Sequence, residues 1–294
     1  MRFAANSYMA NAVRDSLAAM SFVTRFAPSP TGLLHLGHAF SALTAFEAAR
    51  AAGGRFLLRI EDTDNTRCRG EFASAIFEDL AWLGLSWETP VRRQSEHMPE
   101  YARALGRLIE QGLVYRCFKT RKEIMADIAH APHAPADIVR AGPLATNEEA
   151  ERLAAGDAFA WRLWLDRCAE FLGPRWDDLT FEADGQWHKA DPLQLGDAVL
   201  ARKEFPASYH LACVCDDAAQ GVSDVIRGED LCEVAHLHVL LQFLLGLPTP
   251  RYRHHRLVLG ADGKRLAKRD HAASLRGLRQ AGKTPAQVRA LAGV

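Results

Sequence analysis

The sequence predicts an α/β fold, a wound parallel sheet carrying an inserted α+β subdomain, and three observations predict it. A strand-like run, Ser21 to Ala27, passes through a Pro-rich turn into an apolar helical run from about Leu36 to Ala51. The alternation repeats with Arg55 to Ile60 and then a stretch from Glu71 to Leu83, where Phe72, Ile76, Phe77 and Leu80 form one helical stripe. After a long interruption, sheet-like character returns at Tyr209 to Asp216, ahead of a long apolar helix from Glu229 to Leu245. Strands alternating with helices imply right-handed crossovers and a parallel sheet.

The punctuation between these elements is local. Pro28-Ser29-Pro30-Thr31-Gly32 stops the first strand, and Gly53-Gly54 ends the first helix. From about Met98 the pattern turns helical, then becomes a connection containing Pro, Ala and Gly around His130 to Pro143, then Asn147 to Ala155 and a Trp-rich piece through Trp187. This stretch reads as an insertion. Near the end, Pro285 starts a short helix whose expected buried side is Val288 and Leu291. The expected units are a flexible extension (1–20), the first half of the sheet (21–108), the insertion (109–208), the second half (209–250) and a basic loop with a short helical region (251–294).

Composition narrows the class of protein. A chain of 294 residues suggests two packed units at about 150 residues each, and 48% hydrophobic with 24% charged residues excludes disordered and collagen-like chains. The longest apolar candidate, Val234 to Leu247, is interrupted by His236, His238 and Gln242, so no membrane-spanning helix is expected. Six dispersed cysteines fit a reducing cytoplasm, and residues 1–20 lack the continuous apolar core of a signal peptide. Lys plus Arg equals Asp plus Glu, 36 each, but the balance is uneven. Arg251 to Val294 hold eleven basic residues against Asp262 and Asp270, a net +9 that suits a phosphate-rich partner.

Four constellations carry chemistry. His35-Leu36-Gly37-His38 stands where the turn feeds the first helix, with two imidazoles at i and i+3, a glycine that lets a ligand approach, and helix N–H groups open to an anion. Such a corner suits a nucleotide phosphate, and it equally suits packing or capping histidines. Gly263 to Arg269 is a glycine-led loop with four cations, able to close over a triphosphate or simply to be solvated. Arg59-Ile60-Glu61-Asp62-Thr63-Asp64 offers three carboxylates at a strand end, which could ligate a metal, bind an ammonium group or cap the next helix. Tyr209 and Arg227 are a phenol and a guanidinium able to orient a carboxylate.

Taken together, Arg25-Phe-Ala-Pro-Ser-Pro-Thr-Gly32 with His35-Leu-Gly-His38, Arg59-Ile-Glu-Asp-Thr-Asp64, Val225-Ile-Arg-Gly-Glu-Asp230 and Arg265-Leu-Ala-Lys-Arg269 resemble the class I glutamyl-tRNA synthetases. The motifs fall in that family's order and cover nearly the whole chain from Ser21. The resemblance implies a class I Rossmann-type catalytic domain, activation of L-glutamate by ATP with Mg2+, and transfer to a tRNA. It would place Arg25, Ser29, Glu61, Tyr209 and Arg227 around glutamate, with Glu61 on its ammonium group. His35, Gly37, His38 and Lys268 would fall to ATP, with His35, His38 and Lys268 catalytic. Only 25 residues follow Arg269, a helix of at most ~38 Å, where ordinary members continue into an anticodon-binding region. The likeness is therefore to the family's truncated branch, which attaches glutamate to queuosine in tRNA(Asp). That implies a monomer docking its catalytic body on the anticodon stem-loop, with 109–208 as an acceptor-binding-like subdomain.

Three departures from the family pattern qualify this reading. Arg265 and Ala267 replace residues of the usual Lys-Leu-Ser-Lys, while Lys268 keeps the second lysine. Relatives carry a zinc site built from Cys-x-Cys and Tyr-x-x-x-Cys; here Tyr115-Arg-Cys117-Phe-Lys119 has a lysine in place of the second cysteine, so no metal is expected even with His130 and His133 nearby in sequence. Residues 1–20 are an extension. Cys213-Val-Cys215 also has metal-like spacing but reads as buried thiols alternating in a strand. Three alternatives stay open at this point: a short glutamyl-tRNA synthetase charging the tRNA 3′ end, a catalytically silent RNA-binding module, and a small-molecule nucleotidyltransferase.

Overall fold

The computed structural model describes residues 21–120, 123, 141–202, 207–258 and 274–294. Along the chain, β1 (Val23–Phe26) leads to α1 (Leu36–Ala51), β2 (Arg55–Ile60) to α2 (Gly70–Trp82), and β3 (Arg92–Arg93) to α3 (Met98–Glu110). There follow β4 (Val114–Cys117), α4 (Thr146–Ala154), β5 (Ala160–Leu163), α5 (Leu165–Leu172), β6 (Thr180–Ala183), β7 (Gln186–Lys189) and β8 (Val199–Ala201). The last stretch contains α6 (Tyr209–Ala219), β9 (Asp224–Gly228), α7 (Val234–Leu245), β10 (Arg251–His255), α8 (Leu275–Gln280) and α9 (Pro285–Ala292).

Strands β3, β2 and β1 pair in parallel in that order, and β10 pairs in parallel with β9 on one side and β6 on the other. β1 and β9 lie side by side, tied where the Ser223 N–H donates to the Val23 carbonyl at 2.9 Å and the Val23 N–H to Ser223 Oγ at 2.8 Å. β4, β5 and β8 form a separate antiparallel sheet. Among the described residues no helix is long and apolar enough to cross a membrane.

The two-residue period of a strand sorts the core. On β2, Phe56, Leu58 and Ile60 join the cluster that includes Leu43 of α1, Leu80 of α2 and Val288 of α9. Leu57 faces the opposite cluster, with Tyr101 of α3, Leu211 of α6 and Leu240 of α7. Both faces are buried, so the strand reads as a nearly continuous apolar run rather than an alternating one. Arg59 shares the parity of Leu57, and Arg25 that of Val23, so both guanidinium groups enter the interior on the side of α6. At the return from α1, a Cβ on Gly54 would stand 2.2 Å from the Phe22 carbonyl oxygen, and only glycine permits that approach.

Three expectations are corrected. Tyr209 to Asp216 is the first part of helix α6, not a strand, and Cys213 and Cys215 therefore do not alternate across a sheet. A short, wholly buried apolar run has no diagnostic period. What decides is Asp216-Asp217: a strand would point them to opposite faces, whereas the helix lets both reach buried arginines. Cys213 is buried and Cys215 half-buried. The long helix is also shorter than expected: Glu229–Leu231 is a separate 3₁₀ turn and α7 begins at Val234. In α9, Val288 is buried as expected, but Leu291 is 52% exposed, and Ala292, four residues beyond Val288, completes the buried side.

Candidate active site

The C-terminal ends of β1, β2, β9 and β10 meet the N-terminus of α1, the position at which open α/β sheets hold ligands. A cavity of about 230 Å³ opens there. His35, Gly37 and His38 line one wall, and Arg25, Glu61, Tyr209 and Arg227 line the others. Ser29 lines a neighbouring cavity of about 110 Å³, to which Glu61 and Tyr209 also contribute. Seven of the nine site residues proposed from sequence thus border one cavity and an eighth borders the next. Lys268, with Lys264, Arg265 and Arg269, lies outside the described residues.

The two imidazoles build the corner themselves. His35 is the N-cap of α1: its Nδ1 accepts the Gly37 N–H at 3.1 Å, while His38 Nδ1 accepts the His35 N–H at 3.2 Å. Each Nδ1 therefore presents a lone pair, and a neutral ring must carry its proton on Nε2. The ring centroids are 3.8 Å apart. Gly37 serves this packing directly, because a Cβ there would meet His35 Cε1 at 3.1 Å and Nδ1 at 3.2 Å.

Of the three carboxylates after β2, Glu61 lines both cavities, Asp64 lines the smaller one and Asp62 lines neither. Asp62 accepts from the Ser95 N–H and hydroxyl at 2.9 and 2.8 Å, and Asp64 closes a turn with Thr66 and Arg67. Glu61 sits 3.1 Å from Arg59, yet burial pushes its carboxyl above the ordinary value. Burial likewise raises the Tyr209 phenol.

Behind the cavity lies a charge network that sequence reading missed. Arg25 Nε and Nη2 both donate to Asp217, at 3.0 and 3.2 Å, and Arg59 Nη1 donates to the same carboxylate at 2.7 Å. Arg59 is completely buried, and Asp216 stands 3.6 Å from its Nε. Burial opposes the Asp217 charge, but the two arginines outweigh it and hold the carboxyl far below its ordinary value. The available signal was the adjacent Asp216-Asp217 pair at the end of an apolar run. Its partners lie far away in sequence, 192 residues for Arg25. Three histidines near Arg227, namely His210, His238 and His254, were also missed; His238 interrupts an otherwise apolar helix.

In the insertion, Cys117 is buried on β4. Among the described residues no three His, Cys, Asp or Glu side chains group as a metal site, and His130 and His133 lie outside those residues.

Comparison with known proteins agrees with this architecture. Residues 21–291 match the family described as tRNA synthetases class I (E and Q), catalytic domain. A glutamyl-Q tRNA(Asp) synthetase of Rhodobacter capsulatus is 48% identical, the match covering 92% of this chain and 100% of that protein. One from Nocardia farcinica is 44% identical over 91% of this chain and 82% of its own length. The crystal structure of a glutamate-tRNA synthetase from Elizabethkingia anophelis superposes with a TM-score of 0.69 at 28% identity. That superposition covers 85% of this chain, which spans about half (53%) of the longer synthetase. The chain belongs to the class I tRNA synthetases of the E and Q type, and is a class I aminoacyl-tRNA synthetase-like ligase.

Proposed function

We propose that this chain activates L-glutamate with ATP and Mg2+ and transfers it onto queuosine in the anticodon loop of tRNA(Asp). In the first step an oxygen of the glutamate α-carboxylate attacks the α-phosphorus of ATP. The bond to the β-phosphate oxygen breaks, pyrophosphate leaves, and glutamyl-adenylate forms. His35 and His38 donate from Nε2 to the phosphate oxygens on which charge accumulates, Gly37 offers backbone at the same corner, and Lys268 joins from the basic loop. Glu61 takes the substrate ammonium group, while Arg25, Ser29, Tyr209 and Arg227 surround the remainder of glutamate. In the second step a hydroxyl of the queuosine cyclopentene ring attacks the activated carbonyl, the ester bond forms, and AMP leaves; the protein contributes chiefly proximity.

One observation carries the glutamate half: Arg227, buried to 4% exposure, has an Nη2 with no hydrogen-bond partner among the described residues, on the same cavity as the His35–His38 corner. An unpaired buried guanidinium nitrogen calls for an anion. The queuosine half is supported by the relatives carrying that activity in their names, one of them matched over its full length. In this reading the sheet halves 21–108 and 209–250 hold the small substrates, 109–208 serves the RNA acceptor side, and 251–294 meets RNA phosphates. Residues 1–20 are dispensable, the enzyme works as a cytoplasmic monomer, and the insertion functions without zinc, Lys119 standing where a thiolate would be needed.

The test is incubation with labelled glutamate, ATP and purified tRNAs. Label accepted by queuosine-containing tRNA(Asp), and not by tRNA(Asp) lacking queuosine, is the expected result. Label on tRNA(Glu) instead would establish ordinary 3′-end charging, and no glutamate-dependent pyrophosphate exchange would indicate a silent RNA-binding protein.

A further inference from the structure

Two arginines border the cavity, and their charges are handled in opposite ways. Arg25 meets Asp217 through two nitrogens, so a protein carboxylate already balances it. Arg227 is as deeply buried, but among the described residues no carboxylate lies within 4.0 Å of its guanidinium. Its neighbours are rings. Nε donates to His254 Nε2 at 3.4 Å, Nη1 faces His238 Nδ1 at 3.5 Å, and the guanidinium carbon stands 5.1 Å from the centroid of Tyr252.

A guanidinium can only donate, so each imidazole nitrogen turned towards it must hold a lone pair, and each of these rings is neutral. For His238 the proton is then on Nε2, which lies 3.4 Å from His210 Nδ1 and donates to it. The tautomers are set in sequence from Arg227 through His238 to His210. Burial, reinforced by the Arg227 charge, pushes His210 and His254 down to about 4 and His238 well below its ordinary value. None of the three brings charge to the site near neutral pH.

Building on the glutamate reading above, we propose that His238 and His254 are specificity-setting positioning residues. As neutral acceptors they hold Arg227 without compensating it, so that the cavity takes an amino acid whose side chain ends in a carboxylate and rejects the corresponding amide. A carboxylate from the protein at either position would pair with Arg227 and remove the requirement for an anionic ligand. An amide ligand leaves the cation unbalanced in a desolvated wall, a larger penalty than one missing hydrogen bond.

The experiment compares wild type, His254→Asp and His254→Asn as full chains, measuring kcat and KM in pyrophosphate exchange with L-glutamate and with L-glutamine, with thermal unfolding alongside. The Asn variant keeps a neutral acceptor and is expected to hold the glutamate-over-glutamine preference within about 3-fold, while the Asp variant lowers it about 10-fold or more through the glutamate KM. Should His254→Asp not fold, His238→Asp against His238→Asn poses the same comparison from the other side of the guanidinium. An Asp variant with the wild-type preference, or an Asn variant that loses it equally, overturns the proposal. A wild type that prefers glutamate while its Asp variants keep that ratio removes the histidine proposal alone; a wild type with no glutamate-dependent exchange removes the glutamate reading and this proposal with it.

Discussion

Asp217→Asn probes the frame that carries the cavity. In the wild type one buried carboxylate accepts from Arg25 twice, at 3.0 and 3.2 Å, and from Arg59 once, at 2.7 Å. Arg59 retains Glu61 at 3.1 Å and Asp216 at 3.6 Å when that charge is removed, whereas Arg25 has no second carboxylate within 4.0 Å among the described residues. The perturbation therefore amounts to one uncompensated buried guanidinium, worth about 3–5 kcal/mol. The amide oxygen of Asn still accepts one hydrogen bond, which places the expected loss at the lower end, about 3 kcal/mol. At an unfolding entropy of about 2.1 cal/mol/K per residue, a chain of 294 residues shifts by about 1.6 °C per kcal/mol, so the thermal midpoint should fall by about 5 °C. Urea unfolding should show the midpoint moving with an unchanged slope. The pair also has a pH signature. The folded carboxyl is depressed below its ordinary value of 3.8, so its stabilisation is complete above that value and is lost as pH falls through the folded one. A loss below about 1 kcal/mol, the range of an exposed pair, would refute the view that Asp217 neutralises Arg25.

Other perturbations separate parts of the same account. Gly37→Ala would drive a methyl against the His35 ring at 3.1–3.2 Å, so the cap weakens by about 1 kcal/mol while glutamate-dependent exchange falls about 10-fold or more; equal activity would mean the ring moves freely. Because burial lowers His210, His238 and His254, the unfolded chain binds more protons below about 6.5, and stability should decline from there towards about 4, by about 1.4 kcal/mol per pH unit for each histidine protonated only on unfolding. A flat urea midpoint between pH 6.5 and 5 would contradict this. In α9, Val288→Ala should cost about 1–2 kcal/mol and Leu291→Ala less than about 0.5, since only the first is buried; the reverse order in thermal unfolding would overturn the assigned face.

The elements legible in the sequence were those whose signals are local. β1, α1, β2, α2 and α9 fall within a residue or two of their expected positions because turns, caps and apolar spacing lie inside each segment. Tyr209 to Asp216 was not legible, since a short run buried on every side has no period, and the feature that selects helix is a carboxylate pair answering arginines on β1 and β2. The site divides in the same way. His35, Gly37 and His38 are one turn of chain and could be placed by inspection, whereas the balance between Arg25 and Asp217, or the imidazoles around Arg227, exists only once distant strands pair. Leu291 illustrates the remaining limit: a four-residue step from Val288 stays on the buried stripe of so short a helix, and a three-residue step falls off it.

In the function proposed above, His38 serves the reaction through Nε2 while its Nδ1 accepts the His35 N–H and serves the fold. His38→Asn preserves an acceptor near the Nδ1 position for the His35 N–H and deletes Nε2, so one comparison divides the two roles. The deciding measurement is glutamate-dependent ATP–pyrophosphate exchange by this variant beside wild type. The predicted result is a rate about 100- to 1,000-fold lower, the cost of losing a preorganised donor, with a thermal midpoint within a few degrees of wild type. Exchange at the wild-type rate would contradict it.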